Sequence, residues 1–287
     1  MTEAQTEPWH RARSVFAILA APPVLWLLLF FVMPLALIWG YSFGENTSLT
    51  QIAINGSFAN YGRALKPLYL AIIGKSLGLA ALTTLVCLVV GFPVAVAITF
   101  ASNRAKVWLL LLVMLPFWTN LLIRTYALMA VLRTEGYINT ALGWFGLGPF
   151  DMLHNNFAVV FGLVYVHLPF MVLPLYAALD RLDRSLIEAS LDLGAGQIAT
   201  FLRIVVPLAL PGIVSGIIVT FIPAMGAYLT PDLLGGTSSQ MIANIIERQF
   251  KSANDWPFGA ALSFLLMYLT FAAIALQALL SRGRAAR

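Results

Sequence analysis

The sequence predicts an all-α polytopic membrane protein with six transmembrane helices. Hydrophobic residues make up 60% of the 287 residues and charged residues only 10%, and the mean hydropathy is +0.87. This composition leaves too little polar surface to cover a soluble globule of this length. Six long runs are almost free of charge, and each is longer than the roughly 20 apolar residues that a helix needs to cross a bilayer. None alternates in polarity as the strands of a membrane barrel do.

The first run resembles a secretory signal because it follows basic residues. It is, however, much longer than the roughly 7–15 residues of a signal's apolar region. It is therefore predicted to be an uncleaved span, with cleavage near Ala20 as the alternative. The second run begins after Lys75, and the third is interrupted only by Arg124. The predicted spans are 14–43, 76–102, 107–132, 155–179, 207–231 and 257–281, and a polar loop occupies 180–206.

Prolines lie inside most of the spans. An interior proline removes a helical hydrogen bond and kinks the helix, which lipid tolerates only where neighbouring protein satisfies the freed carbonyl. We therefore expect the helices to pack against one another. Bent helices also suit a gated pathway, and the ordinary irregularity of a helical bundle explains any single proline equally well. The prolines are Pro22, Pro23, Pro34, Pro93, Pro116, Pro169, Pro174, Pro211 and Pro223.

Basic residues are concentrated in one set of loops. With the N-terminus inside, the inner segments carry more basic residues than the outer ones over a shorter total length. The positive-inside rule then predicts that both termini face the cytoplasm. This asymmetry explains the net charge of +5, and no basic stripe with interleaved aromatics indicates a nucleic-acid partner. The inner basic residues are Arg11, Arg13, Arg104, Lys106, Arg181, Arg184, Arg203, Arg282, Arg284 and Arg287.

The polar loop contains signals for two short helices. Ser185 and Glu188 have the spacing of a capping box, which predicts a helix that starts at Ser185. Gly194 or Gly196 can supply the left-handed residue that ends it. A second short helix is expected over 197–203, leading to Pro207.

The first of these helices is predicted to present two strips. Leu186, Ala189, Ser190 and Leu193 recur at helical spacing, and Glu188 and Asp192 share a neighbouring strip. Small side chains at positions 189 and 190 would let another protein approach the backbone closely. The capping box alone would also account for Glu188, but it would not explain the glycine and proline that follow at longer range.

These residues resemble the signature of the inner-membrane permeases of binding-protein-dependent ABC importers. That signature is Glu-Ala-Ala, three residues, Gly, nine residues, Ile, one residue, Leu, Pro. The chain has Ser190 for the second alanine and Val206 for the leucine. The resemblance implies a MetI-like architecture, an inner-membrane location and a transport subunit without enzyme activity. The matching positions are Glu188, Ala189, Gly194, Ile204 and Pro207.

In this family the loop is the coupling helix that docks in a groove of the ATPase. The resemblance therefore implies that this chain works with a second permease as a heterodimer, two ATPase subunits and a periplasmic binding protein. ATP and magnesium would bind on the ATPase, and this chain would hold no cofactor or metal. The residues assigned to coupling are Ser185, Glu188, Ala189, Asp192, Gly194, Arg203 and Pro207.

Further segments are similar to the spermidine and putrescine permeases, although permeases for other small solutes share much of the pattern. They are 116–120 with Ile123 and Arg124, 136–137, 168–171 and 255–259. The resemblance implies polyamine import by alternating access, with the binding protein docking on 45–75, 133–151 and 232–255.

A polyamine path should contain carboxylates and aromatic faces, because both attract ammonium groups. Each candidate could equally be an interfacial aromatic or a solvated loop charge. Arg124 is expected either to bond carbonyls or Asp232, or to line the path, where it would repel a cation. The candidates are Trp118, Asn120, Arg124, Tyr126, Tyr228, Asp232 and Glu247.

Other functions have weaker support. Tyr69 stands where a nucleotide-binding loop ending in Gly74-Lys75-Ser76 needs its first glycine, so ATP hydrolysis is assigned to another subunit. An ion-coupled carrier, the alternative transporter, would need carboxylates within the bilayer. No converging set of catalytic groups indicates an enzyme. The single Cys87 is expected to pack as a small apolar residue, and His167 to be a satisfied core or pore-facing histidine.

Overall fold

A computed structural model describes residues 13–48 and 51–285, and within them the side chains of 16–48 and 51–275. Arg11 and Arg287, two of the basic residues used to orient the chain, lie outside the described residues. The first strand pairs antiparallel with the second, so that Gly44 faces Ile54. The strands are β1 Gly44–Asn46 and β2 Ile52–Ile54.

Helices account for most of the described chain, as the sequence predicts. Two π-helical turns and two 3-10 turns connect some of them, at Leu28–Val32, Phe201–Val205, Leu115–Trp118 and Thr237–Ser239. The α-helices are α1 Arg13–Leu27, α2 Met33–Ser42, α3 Ala59–Ala64, α4 Pro67–Phe100, α5 Asn103–Met114, α6 Leu121–Leu132, α7 Tyr137–Gly143, α8 Asn156–Leu179, α9 Arg184–Asp192, α10 Gln197–Thr200, α11 Val206–Leu208, α12 Leu210–Met225, α13 Leu229–Leu234, α14 Ile242–Lys251 and α15 Trp256–Ala285.

Within residues 13–48 and 51–285, four continuous helices are long and apolar enough to cross a membrane, and two bent helix pairs bring the possible total to six. The continuous candidates are Phe16–Ser42, Pro67–Phe100, Asn156–Leu179 and Trp256–Ala275. The prediction of six apolar segments is therefore confirmed when each bent pair counts as one span. The helix of the first candidate continues through Pro22 and Pro23, and α8 continues through Pro169 and Pro174.

Three predicted bounds are wrong. The second span does not begin at residue 76, because α4 starts at Pro67 and carries Lys75 inside it. The third is not one helix over 107–132, because its two halves meet at 97° around 119–120. The fifth does not run over 207–231, because it bends by 63° at Ala209 and ends at Met225.

The chain divides into two compact units. Among the described residues, the smaller comprises 13–48, 51–65 and 248–268. Within it, the Arg63 guanidinium lies 3.0 Å from the Asp255 carboxylate and 4.0 Å from the centre of the Phe258 ring. The buried Asn60 amide donates to the carbonyls of Ser42 and Gly44. The two Asn60 bonds fix the end of α2 and the start of the strand pair.

The larger unit comprises 66–247 and the residues from 269 onward. Its core forms where α4, α8 and α12 pack against one another. Small residues permit the close approach: a Cβ at Gly212 would contact Ala178 and lie 2.8 Å from the Pro174 carbonyl, and one at Gly216 would lie 2.7 Å from the Met171 sulfur. This glycine pair at i and i+4 is a common means of packing membrane helices. The core residues are Cys87, Ala95, Ile98, Met171, Val172, Leu175, Leu179, Val205 and Ala209.

Candidate coupling loop and solute path

The polar loop folds as two short helices, as predicted, but its first helix begins earlier. Asp183, not Ser185, caps α9: its carboxylate accepts a hydrogen bond from the Ser185 N–H at 3.0 Å. That bond lowers the pKa of the Asp183 carboxyl. The capping-box prediction is therefore wrong, since Ser185 already lies inside the helix. Glu188 is exposed and is not required to cap the helix.

The end of α9 forms where the sequence predicts. Gly194 has a φ of +83°, whereas Gly196 has a φ of −70° and does not provide the left-handed turn. The Ala195 N–H donates to the Ser190 carbonyl at 3.1 Å, and the Gly194 N–H donates to the Leu191 carbonyl at 2.9 Å. These are the two bonds of a Schellman motif, which requires a left-handed residue at this position. Gly194 therefore fixes the direction in which the chain leaves α9.

The two faces of α9 differ. On the inner face, Ile187 packs against the core, and the Ser190 hydroxyl lies 2.9 Å from the Thr200 hydroxyl of α10. This bond joins the two short helices. Ser190 is therefore only partly exposed, whereas Leu186, Ala189 and Leu193, which recur with it at helical spacing, are exposed.

The outer face combines exposed apolar and acidic side chains. Leu193 is 89% exposed and Ile198 76% exposed, and Leu186 is also exposed. Glu188, Ala189 and Asp192 lie beside them, and Arg203 and Pro207 are exposed further along the loop. Large apolar side chains at the tip of a polar loop are characteristic of a surface that another protein covers.

Two contacts attach the loop to neighbouring helices. The Lys106 ammonium of α5 lies 2.6 Å from the Asp180 carboxylate. The hydrogen bond from Lys106 lowers the pKa of the Asp180 carboxyl. The Arg184 guanidinium donates to the Thr99 carbonyl of α4 at 3.3 Å and lies 5.5 Å from the centre of the Phe100 ring.

The second candidate region surrounds the break in the third span. The chain leaves the 3-10 turn at Trp118, extends at Thr119 and enters α6 after Asn120. The Asn120 side chain accepts from the Leu122 N–H at 2.8 Å, which caps α6. Asn120 therefore has a structural role in addition to its candidate role on the path.

Arg124 closes this break. Its Nη2 donates to the carbonyls of Thr119 at 2.8 Å and Phe117 at 3.2 Å, and only 7% of the residue is exposed. The break leaves backbone carbonyls without helical partners, and the guanidinium replaces those partners. Of the expected roles, the structure supports bonding to carbonyls. Asp232 is not among the hydrogen-bond partners that Arg124 makes in the described chain.

The remaining path candidates lie on neighbouring elements of the larger unit. Leu128 and Leu132 of α6 pack with Ala158 of α8 and Leu234 of α13. This packing places α13, with its exposed Asp232, against the helix that carries Arg124 and Tyr126. Trp118 is 80% exposed, and Tyr126 and Tyr228 are exposed as well. The Tyr228 carbonyl accepts from the Asn244 amide of α14, the helix that also carries the partly buried Glu247.

With this geometry in place, the chain can be compared with known proteins. Residues 10–285 match the family described as the binding-protein-dependent transport system inner membrane component. The chain belongs to this family. The resemblance drawn from the 188–207 signature is therefore confirmed, and the protein is a permease component of a transport system and not an enzyme.

Named relatives match this permease over most of their length. It is 43% identical over 243 residues to the spermidine/putrescine transport system permease protein PotB of Escherichia coli (strain K12), covering 84% of this chain and 88% of the relative. It is 39% identical to PotB of Haemophilus influenzae, covering 85% and 86%. The inner membrane ABC transporter permease protein YdcU of Escherichia coli (strain K12) is 30% identical, with 92% and 90% covered.

Solved structures confirm the architecture. A chain of a bacterial ABC transporter that imports the acidic polysaccharide alginate matches with a TM-score of 0.78 at 17% identity, covering 96% of this permease and 98% of that chain. A chain of the MetNI methionine ABC transporter matches with a TM-score of 0.58 at 18% identity, covering 75% and 94%. The predicted MetI-like permease fold is therefore confirmed.

Sequence reasoning missed four residues that position the loop: Asp180, Asp183, Arg184 and Lys106. Asp183 could have been found, because an aspartate directly before a helix is itself a good cap. Lys106 and Asp180 are 74 positions apart, and Arg184 is 85 positions from Thr99, so no local sequence pattern indicates these contacts. His167 is a satisfied core residue: its Nδ1 lies 2.8 Å from the Leu163 carbonyl. The described residues contain no group of three potential metal ligands.

Proposed function

We propose that this permease is one membrane subunit of an ATP-driven importer for spermidine, putrescine or a closely related polyamine. It would pair with a second permease, dock two ATPase subunits and receive solute from a periplasmic binding protein. Both termini and the α9 loop would face the cytoplasm, where the basic residues of the loop are favoured. ATP and magnesium would be bound by the ATPase, and this chain would contribute no cofactor site.

The observation that carries the proposal is the outer face of α9. Exposed Leu186, Leu193 and Ile198 offer apolar anchors, and Glu188 offers a charge for a basic partner. Because Asp183 caps the helix, Glu188 is free of the structural role that would otherwise account for it. The Schellman turn at Gly194 and the Ser190–Thr200 bond hold this face rigid, so that a movement of the ATPase would be passed on rather than absorbed.

The polyamine assignment is supported by the PotB relatives and by one acidic and three aromatic side chains among the path candidates. Asp232 and the rings of Tyr126, Tyr228 and Trp118 are exposed and would attract ammonium groups. Arg124 is compatible with a cationic solute, because its guanidinium is buried and hydrogen-bonded to carbonyls whose dipoles offset its charge. The repulsion expected from an unpaired arginine is thereby reduced.

The decisive experiment reconstitutes the full complex in proteoliposomes and compares wild type with Glu188→Arg. We expect wild-type uptake of spermidine to require internal ATP and the binding protein. The reversal should weaken retention of the ATPase about tenfold, since an unpaired or like charge at an interface costs at least about 1.4 kcal/mol. Glu135→Arg, an exposed reversal outside the loop, should leave ATPase retention unchanged.

Two results would overturn the proposal. Uptake by the permease alone, driven by a proton or sodium gradient, would indicate an ion-coupled carrier. Full ATPase retention and ATP-dependent uptake in Glu188→Arg would remove the assigned role of the loop. Competition by unlabelled solutes tests the substrate class: putrescine and spermidine should compete, whereas sulfate and methionine should not.

A further inference from the structure

The coupling helix is attached to two other helices by charged side chains. Arg184 is the first residue of α9, and its guanidinium reaches the Thr99 carbonyl at the end of α4 at 3.3 Å. Asp180 directly follows α8, and its carboxylate lies 2.6 Å from the Lys106 ammonium in the first turn of α5. The loop is therefore connected to α4, α5 and α8 at its entrance.

The Arg184 contact is placed where a helix accepts a cation well. Thr99 is the penultimate residue of α4, and its carbonyl belongs to the last turn, where carbonyls lack helical partners. These groups form the negative end of the helix dipole, which favours a guanidinium. The Phe100 ring lies 5.5 Å from the same guanidinium and adds a cation–π contact. Arg184 thus binds the end of α4 through both backbone and side chain.

The Lys106 contact leads toward the broken span. The helix α5 runs from Asn103 to Met114, which is about 18 Å at 1.5 Å per residue, and passes directly into the 3-10 turn before the break. A displacement of Asp180 would therefore be carried along α5 toward the carbonyls that Arg124 binds. The pKa of the Asp180 carboxyl is lowered, so the ion pair persists above the usual carboxyl pKa of about 3.9 and is lost only as the pH falls through the lowered value.

We propose that Arg184 and the Asp180–Lys106 pair are positioning residues that transmit the movement of α9 to α4 and α5. This inference deepens the proposed function and rests on it. When the docked ATPase moves α9, Arg184 pulls the end of α4, and Asp180 pulls the start of α5. Without these contacts, α9 would still dock but would move independently of the two helices. ATP hydrolysis would then continue while transport fell.

The test measures the number of spermidine molecules imported per ATP hydrolysed by the reconstituted complex. Arg184→Ala should lower this ratio about tenfold, which corresponds to about 1.4 kcal/mol of coupling, while ATPase retention stays at the wild-type level. Arg184→Lys should restore part of the ratio, since an ammonium can still bind the Thr99 carbonyl without the planar contact to Phe100. Arg181→Ala is the matched control: Arg181 is exposed three residues earlier and makes no hydrogen bond within the described residues.

A charge swap tests whether the ion pair itself is responsible for the effect. Asp180→Lys alone should lower the ratio, and the double variant with Lys106→Asp should recover it, because the ion pair is restored in reverse. The unfolding temperature, measured from the reaction of the buried Cys87 with a thiol-reactive dye during heating, should be the same in all variants that assemble. A change in the ratio would then not result from a loss of stability.

The inference fails if Arg184→Ala and Arg181→Ala give the same ratio, or if Arg184→Ala lowers ATPase retention and transport in equal proportion. Failure of the proposed function is distinguishable, since the wild-type complex would then import spermidine without ATP or not at all.

Discussion

The third and fifth spans of this permease are both bent, and they tolerate the bend by different means. In the third, Thr119 and Asn120 leave the helical conformation, and the Arg124 guanidinium and the Asn120 side chain replace the missing backbone partners. In the fifth, Ala209 remains helical at φ −80° and ψ −4°, and the Ala209 N–H still donates to the Val205 carbonyl at 2.9 Å. The first bend needs polar compensation, whereas the second is held by packing.

The difference follows from where each bend lies. Ala209 is fully buried, and Gly212 and Gly216 bring the following helix against α8, so that the 63° bend is surrounded by protein. Trp118, Thr119 and Asn120 at the 97° bend are exposed, and beside them Phe117 packs edge-on against Phe170 of α8, with ring centres 5.4 Å apart. A membrane helix can therefore change direction either by close contact with a neighbour or by carrying its own hydrogen-bond donors.

The largest effect on the free energy of unfolding should follow from adding a side chain at Gly212, where α12 packs closely against α8. Gly212→Ala would place a Cβ against Ala178 and 2.8 Å from the Pro174 carbonyl, and we expect a loss of about 3 kcal/mol from overpacking. Gly78→Ala, where a Cβ meets nothing within 4 Å, should instead be neutral or stabilising by about 0.5–1 kcal/mol. The unfolding temperature of each variant can be measured in detergent, since the buried Cys87 reacts with a thiol-reactive dye only when heating unfolds the protein. Equal unfolding temperatures for the two variants would contradict the packing explanation.

An intermediate effect on the free energy of unfolding should follow from removing the Arg124 guanidinium, which donates hydrogen bonds at the third-span bend. Arg124→Leu leaves two carbonyls without their bonds, which should cost about 2 kcal/mol after the gain from removing a charge from the membrane. Arg124→Lys should recover about half, because one ammonium cannot serve both carbonyls with the fork geometry. The exposed Arg133→Leu serves as the control in the same thermal assay. If Arg124→Leu matched the control, the bend would not depend on the guanidinium.

The smallest effect on the free energy of unfolding should follow from removing the Asn120 side chain that caps α6. Asn120→Ala should cost about 1 kcal/mol, since the Leu122 N–H loses its acceptor. Asn120→Asp keeps an acceptor and places a negative charge at a helix N-terminus, so its unfolding temperature should equal or exceed that of wild type. A stable Asn120→Ala together with a destabilised Asn120→Asp would reverse the expected order and refute the capping role.

Local patterns predicted the features that depend on local chemistry. The number of apolar segments, the two short helices of the loop and the turn at Gly194 all follow from residues close together in sequence. The start of α9 was misplaced because Asp183 and Ser185 both satisfy the rules for a cap. The sequence predicts α4 too short, because the charge of Lys75 interrupts the apolar run, although a long lysine side chain can extend from a membrane helix toward water.

The remaining features depend on contacts between distant residues. Pro116, Thr119 and Asn120 are recognisable turn residues, but the apolar composition on both sides favoured a single helix over 107–132. Arg124 turns back to the preceding carbonyls, a contact that no sequence pattern indicates. The Arg184 and Asp180 contacts likewise join elements far apart in the chain, so the candidate residues of the loop were predictable whereas its attachment to the helices was not.

The guanidinium of Arg124 and both carbonyls it binds lie between Phe117 and Arg124. The hydrogen bonds that compensate for this bend are therefore all made within one short stretch, while Phe170 of α8 packs against Phe117. Placed in an unrelated helical bundle that also buries the guanidinium, the stretch should produce a sharp bend without leaving carbonyls unpaired in lipid.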